Sequence, residues 1–178
     1  MKKFLTILAL LACACSVPAS EKGKADLSVS VVLTTGERSK DSSSETTTIT
    51  VERNSIVWER TFSGRRRGTP PLRKAFRLSL ADKENLLKLI RSNNLLVTDS
   101  IELPQANSNF RYFEISVDST LDGKKGSINI NGLRTAVEIK EEKLYQNTLT
   151  LVKELYRIMN SQDKKVHFEE LILEPIGR

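Results

Sequence analysis

Cysteine and histidine are nearly missing from this 178-residue chain. Its two cysteines, Cys13 and Cys15, lie within the first fifteen residues, and its one histidine is His167. Two residues apart on an extended segment, the cysteines do not suit an unstrained disulfide. The rest of the chain therefore has no disulfide, no thiolate nucleophile and no thiolate metal ligand, so its core alone must hold it together. A lone imidazole does not make a typical zinc site and reads as an exposed or capping residue. A Ser-His-acid triad would need this same His167, and no Gly-x-Ser-x-Gly elbow surrounds any serine. The glycines Gly64 and Gly68 enclose arginines but lack the Gly-Lys-Ser/Thr ending of a phosphate loop. Asp122-Gly123 lacks the flanking acids of a calcium loop. Glu141-Glu142 and Glu169-Glu170 are paired acids, which glycoside cleavage requires, but acids near a helix start are favoured by the backbone dipole without any catalysis. We expect no catalytic residues, no metal and no cofactor.

Long apolar runs are also absent. The longest opens the chain: Lys2 and Lys3 precede Phe4-Leu5-Thr6-Ile7-Leu8-Ala9-Leu10-Leu11-Ala12, followed by Cys13. This run is too short to span a bilayer, which takes about 20 apolar residues. A cationic start, a brief apolar core and small residues beyond it make a secretory signal peptide. Leu10-Leu11-Ala12-Cys13 resembles the lipobox of bacterial lipoproteins, with Leu11 standing where a small residue is commoner. The resemblance implies that Cys13 becomes the first mature residue and carries a diacylglyceryl group that holds the protein at a membrane. Ala14 after the cysteine would imply the outer membrane in a diderm organism. The rival cut, after Val17-Pro18-Ala19, would release a soluble periplasmic or secreted protein. Expected organisation is then a signal peptide at 1–12, lipidated Cys13 and a flexible tether to 25, one domain at 26–160, and an extension of open structure at 161–178.

Charge of one sign is not abundant. The net charge is +6 and falls to +4 when Lys2 and Lys3 leave with the signal, which mostly serves solubility. Nucleic acid is an implausible partner for an exported chain with no recognisable binding module. About 150 residues are enough for one domain that buries roughly 70% of its unfolded surface.

What is present is alternation. Leu27, Val29, Val31 and Leu33 share one face of a strand, and a solvated loop is expected over 36–45. Residues 46–53 form the second strand, with Ile49 and Val51 facing in. A tight turn at Asn54-Ser55 leads to a third over 56–62, carrying Ile56, Trp58 and Phe62. Residues 74–80 read as extended, with Phe76, Leu78 and Leu80 aligned. A helix follows, capped by Ser79 or Asp82 and carrying Leu86, Leu87, Leu89 and Ile90. Asn93-Asn94 is its left-handed stop, with Leu95-Leu96 folding back. After an irregular stretch to Pro104, Phe113, Ile115 and Val117 alternate on a strand over 110–118. Asp122-Gly123 is a hairpin signal, and the return strand holds Ile128 and Ile130. Asn131-Gly132 predicts another turn, with a further strand possible over 133–139. Helical spacing over 141–160 puts Leu144, Thr148, Leu151, Val152, Leu155 and Met159 on one face, widened by Tyr145, Leu149, Tyr156 and Ile158.

The expected fold is α+β: an antiparallel sheet of about six strands with two helices packed on one face. This order resembles small exported β-rich bacterial domains such as the emfourin-type protease inhibitors, which would imply a protein partner. One local anomaly remains. Arg60, Arg65, Arg66, Arg67, Arg73, Lys74 and Arg77 occur with no acid between Arg60 and Arg77. Arginine forks bind phosphate and carboxylate at two points. Arg65, Arg66, Arg67, Arg73 and Lys74 are therefore the candidate site for an anionic envelope component. The plainer account is a solvated loop whose charge discourages strand pairing between molecules. We expect a non-enzymatic envelope lipoprotein or, alternatively, a secreted protein-binding module such as an inhibitor or assembly factor.

Overall fold

The alternation of Leu27, Val29, Val31 and Leu33 places all four side chains in the core, each no more than 5% exposed. The computed structural model describes residues 26–37, 43–64, 68–102, 111–133 and 143–168. Strands β1 (Leu27–Glu37), β2 (Ser44–Glu52), β3 (Ser55–Phe62) and β4 (Leu72–Arg77) follow one another. Helix α1 (Leu80–Ser92), strands β5 (Thr98–Glu102), β6 (Arg111–Leu121) and β7 (Lys124–Leu133), and helix α2 (Lys143–Gln162) complete the described elements. The fold is α+β, and the described strands form one seven-stranded sheet in the order β4-β3-β2-β1-β6-β7-β5.

Register carries the core across the sheet. Val31 lies between Ile49 and Val117, Ile49 pairs with Trp58, and Ile56 pairs with Phe76. On the far side Val117 pairs with Ile128 and Ile115 with Ile130. Leu86 and Ile90 of α1, and Leu151, Val152, Leu155 and Met159 of α2, join the same cluster. The alternate residues of β1, Ser28, Ser30, Val32 and Thr34, are exposed or half-buried.

Local signals act where they were expected. The Ser79 hydroxyl caps α1 by accepting from the Asp82 amide at 3.1 Å. At its other end Leu95 N–H reaches Ile90 O and Asn94 N–H reaches Arg91 O, with Asn94 at φ 53°. That pair of bonds is a Schellman closure, and Leu95 is wholly buried behind it. Asp122 and Gly123 both take positive φ, which matches the twist of the hairpin between β6 and β7.

Several expectations need correction. The sheet has a seventh strand and is mixed, because β5 pairs in parallel with β7. The sequence of β5 has no apolar alternation to announce a strand, and only Ile101 of its five residues is even half-buried; backbone pairing makes it. Asn131 and Gly132 do not turn: β7 runs through them, with Asn131 between Glu114 and Glu102. Pairing on both sides outweighs local turn preference there. β1 continues past Leu33 into the expected loop, through Gly36. A Cβ on Gly36 would stand 2.6 Å from the Tyr112 ring, so the glycine makes room for the tyrosine on the neighbouring strand. The turn after β2 centres on Arg53 and Asn54, because Ser55 already pairs with Glu52. Leu80 opens α1, 71% exposed, and does not align with Phe76 and Leu78. The expected strand over 133–139 lies outside the described residues beyond Leu133.

The segment between α1 and β5 is tied to the sheet by short contacts. Ser119, buried in β6, donates to Leu95 O at 2.7 Å, and Ser127 N–H reaches Val97 O at 2.9 Å. Gly126 lies beneath the same segment, where a Cβ would stand 2.6 Å from Leu96 Cα.

Candidate functional site

Strand alternation divides the cationic stretch that the sequence presents as one group. Cys13 and Arg65, Arg66 and Arg67 lie outside the described residues, as do Glu141-Glu142 and Glu169-Glu170. Arg73 and Lys74 are adjacent in β4 and so point to opposite faces of the sheet. Lys74 lies on the side of Phe76, where its Nζ donates to Asp163 Oδ2 at 2.6 Å just beyond α2. This ammonium beside it holds the Asp163 carboxyl below the usual carboxylate range. Arg73 lies on the other face, 70% exposed, with Glu59 at 4.0 Å. Arg60 is on the core side of β3 and forms an ion pair with Glu45, its guanidinium 5.7 Å from the centre of the Phe62 ring. Lys74 and Arg60 therefore have their charges closely compensated in place, while Arg73 is mostly open to solvent and meets Glu59 only at 4.0 Å.

A cluster that sequence reasoning missed surrounds Arg60. Tyr156 of α2 packs on Phe168 with ring centres 5.2 Å apart. Thr47, Trp58, Arg60 and Glu45 all act on its hydroxyl. Burial pushes the Tyr156 hydroxyl up, and Trp58, Thr47 and the Arg60 charge only partly oppose this. The group stays a neutral phenol across the physiological range and is not poised as a nucleophile. The Trp58 indole Nε1 is buried near that hydroxyl, but the two do not reach hydrogen-bond geometry. Tyr156 and Trp58 were legible only as core residues of a helix and a strand. Their meeting with Arg60 depends on how α2 crosses the sheet.

His167 is exposed. Among the described residues no group of three or more His, Cys, Asp or Glu side chains is arranged to hold a metal ion. Among the same residues no helix is long and apolar enough to cross a membrane. A further polar link ties the helices: Arg157 of α2 donates to Asp82 of α1 at 2.8 Å and to Glu154 at 2.8 Å. The Ser79 hydroxyl and, after it, Arg157 hold the Asp82 carboxyl below its ordinary value. This constellation stiffens the contact between α1 and α2.

The outer edge of β4 has its own geometry. Arg77 N–H donates to Gln162 Oε1 at 3.0 Å, and Gln162 Nε2 donates to Arg77 O at 2.8 Å. One side-chain amide thus supplies both partners that a neighbouring strand would supply. Comparison with known proteins returned no matching family model and no matching curated protein.

Proposed function

We propose that this chain is an exported lipoprotein of the cell envelope that works by binding. Cys13 carries the lipid, residues to 25 act as a tether, and the α+β domain stands off the membrane. The observation that carries this reading is Leu10-Leu11-Ala12-Cys13 behind Lys2, Lys3 and a short apolar run. The test is the intact mass of protein purified from membranes, beside a Cys13→Ser variant. A chain beginning at Cys13 with acyl mass that the variant lacks is the expected result. A chain beginning at Ser20 without lipid would overturn the anchor and make the protein freely diffusing.

Within this reading the anionic envelope component, a phosphate- or carboxylate-bearing surface, is met by Arg65, Arg66 and Arg67 together with Arg73. Lys74 is withdrawn from the group by its bond to Asp163. Replacing Arg65, Arg66 and Arg67 with Ser is expected to weaken binding to anionic liposomes; unchanged binding would sink the loop as a site.

The alternative, a protein-binding module such as an inhibitor or assembly factor, is favoured by a separate observation. Among the described residues β4 is an edge strand, exposed at Leu72, Arg73 and Ala75, and an open edge is a template for another chain. Such a module should co-purify from native extracts with a folded partner, and recovery of the protein alone would count against it.

A further inference from the structure

We infer that the outer edge of β4 takes up an extended segment of a partner protein as an added strand, with an acidic residue opposite Ala75. This rests on the protein-binding reading and is independent of the lipid anchor. The first ground is the direction of the peptide groups. Leu78 N–H bonds inward to Asn54 O at 2.9 Å, while both peptide groups of Arg77 point outward to Gln162. In an antiparallel pair these directions alternate, so Ala75 and Arg73 also present N–H and C=O outward. Gln162 occupies the edge at Arg77, so an added strand pairs at Arg73 and Ala75 and leaves the ladder before Arg77.

The second ground is the side-chain row. Arg73, Ala75 and Arg77 share the sheet face away from the core, and all three are exposed, with Glu59 of β3 4.0 Å from Arg73 and partly balancing it. Ala75 fills little space between the two guanidinium groups. A glutamate or aspartate opposite it would lie diagonal to both, within reach of long side chains. Backbone pairing would supply affinity and the two arginines would choose the residue. A second copy of this chain is the wrong occupant for the same reason. Antiparallel pairing of β4 with itself about Ala75 would set Arg73 opposite Arg77 of the other copy, which is repulsive.

The experiment uses the full chain and a fluorescein-labelled eleven-residue peptide of alternating threonine and serine with a central glutamate, read by anisotropy. Saturable binding is expected, weakened about tenfold by a central glutamine or by Arg73→Ser with Arg77→Ser. Ala75→Pro is the decisive variant, since it removes an outward N–H, leaves the charge intact and is tolerated on an edge strand. It should abolish binding while leaving the emission of the single tryptophan, Trp58, unchanged. A wild-type chain with a peptide N-methylated on its β4-facing residues gives the same test without altering the protein. Equal binding by Ala75→Pro or by the N-methylated peptide would reduce the contact to charge and overturn the proposal. Absence of saturable binding, or self-association of the chain through 72–77, would overturn it equally. Neither outcome bears on whether a native partner co-purifies by another surface.

Discussion

Lys74 Nζ lies 2.6 Å from Asp163 Oδ2, joining two residues 89 positions apart in the chain. The bond holds the end of α2 against β4 beside the Gln162 amide that brackets Arg77. It also removes one cation from a stretch that, read along the chain, looks uniformly available.

The two neighbours in β4 should therefore behave oppositely. Lys74→Ser is expected to lower the thermal midpoint slightly, as a partly exposed ion pair would, and to leave anionic-liposome binding unchanged. Arg73→Ser should leave the midpoint alone and reduce that binding. Liposome sedimentation beside thermal melts checks both, and equal loss of binding in the two variants would contradict the division.

Acid should loosen the ends of both helices. The carboxyls of Asp82 and Asp163 are both held below the ordinary 3.8. A carboxyl depressed in the folded state contributes stability that is complete above its unfolded pKa and is lost as pH falls through the folded one. The loss should thus occur below about pH 4, with little change at neutral pH. Asp82→Asn with Asp163→Asn should flatten the fall of urea midpoints through this window; an unaltered slope would count against these two groups.

Two glycines should differ sharply in their tolerance of alanine. At Gly126 the added Cβ would meet Leu96 Cα, Leu95 O and Leu96 C at 2.6–2.7 Å, all of them backbone. Gly126→Ala must displace the segment feeding β5 and is expected to lose about 1–3 kcal/mol, the usual range for overpacking. At Gly36 the three nearest atoms all belong to the end of the Tyr112 side chain, which can shift, so the loss should be smaller. Denaturant midpoints of the two variants give the comparison.

Ser119→Ala should destabilise through an orphaned acceptor. Its hydroxyl reaches Leu95 O at 2.7 Å in a buried setting. Leaving a buried acceptor unpaired takes away about 1–3 kcal/mol. Faster hydrogen exchange at Ser127, whose N–H bonds to Val97 O, should accompany the loss, because Ser119 pins the approach to β5.

Much of the fold is legible from neighbours in the chain. The period-two pattern of Leu27 to Leu33, the Ser79 cap, the Asn94 stop, the Asp122-Gly123 turn and the apolar stripe of α2 each depend on residues a few positions apart. Physical chemistry at that range acts before any tertiary contact forms, so the sequence by itself determined them. The structure alone decided the remainder. β5 carries no apolar alternation and exists because β7 offers it a ladder. Asn131-Gly132 is extended because strands on both sides outweigh its preference to turn. The cationic stretch separates because alternation sends Arg73 and Lys74 to opposite faces, and because Asp163 arrives from the far end of the chain. Tyr156, Trp58, Arg60 and Glu45 meet only where α2 crosses β2 and β3. Such contacts depend on which surfaces are brought together by burying one common core, and local spacing carries no record of that choice.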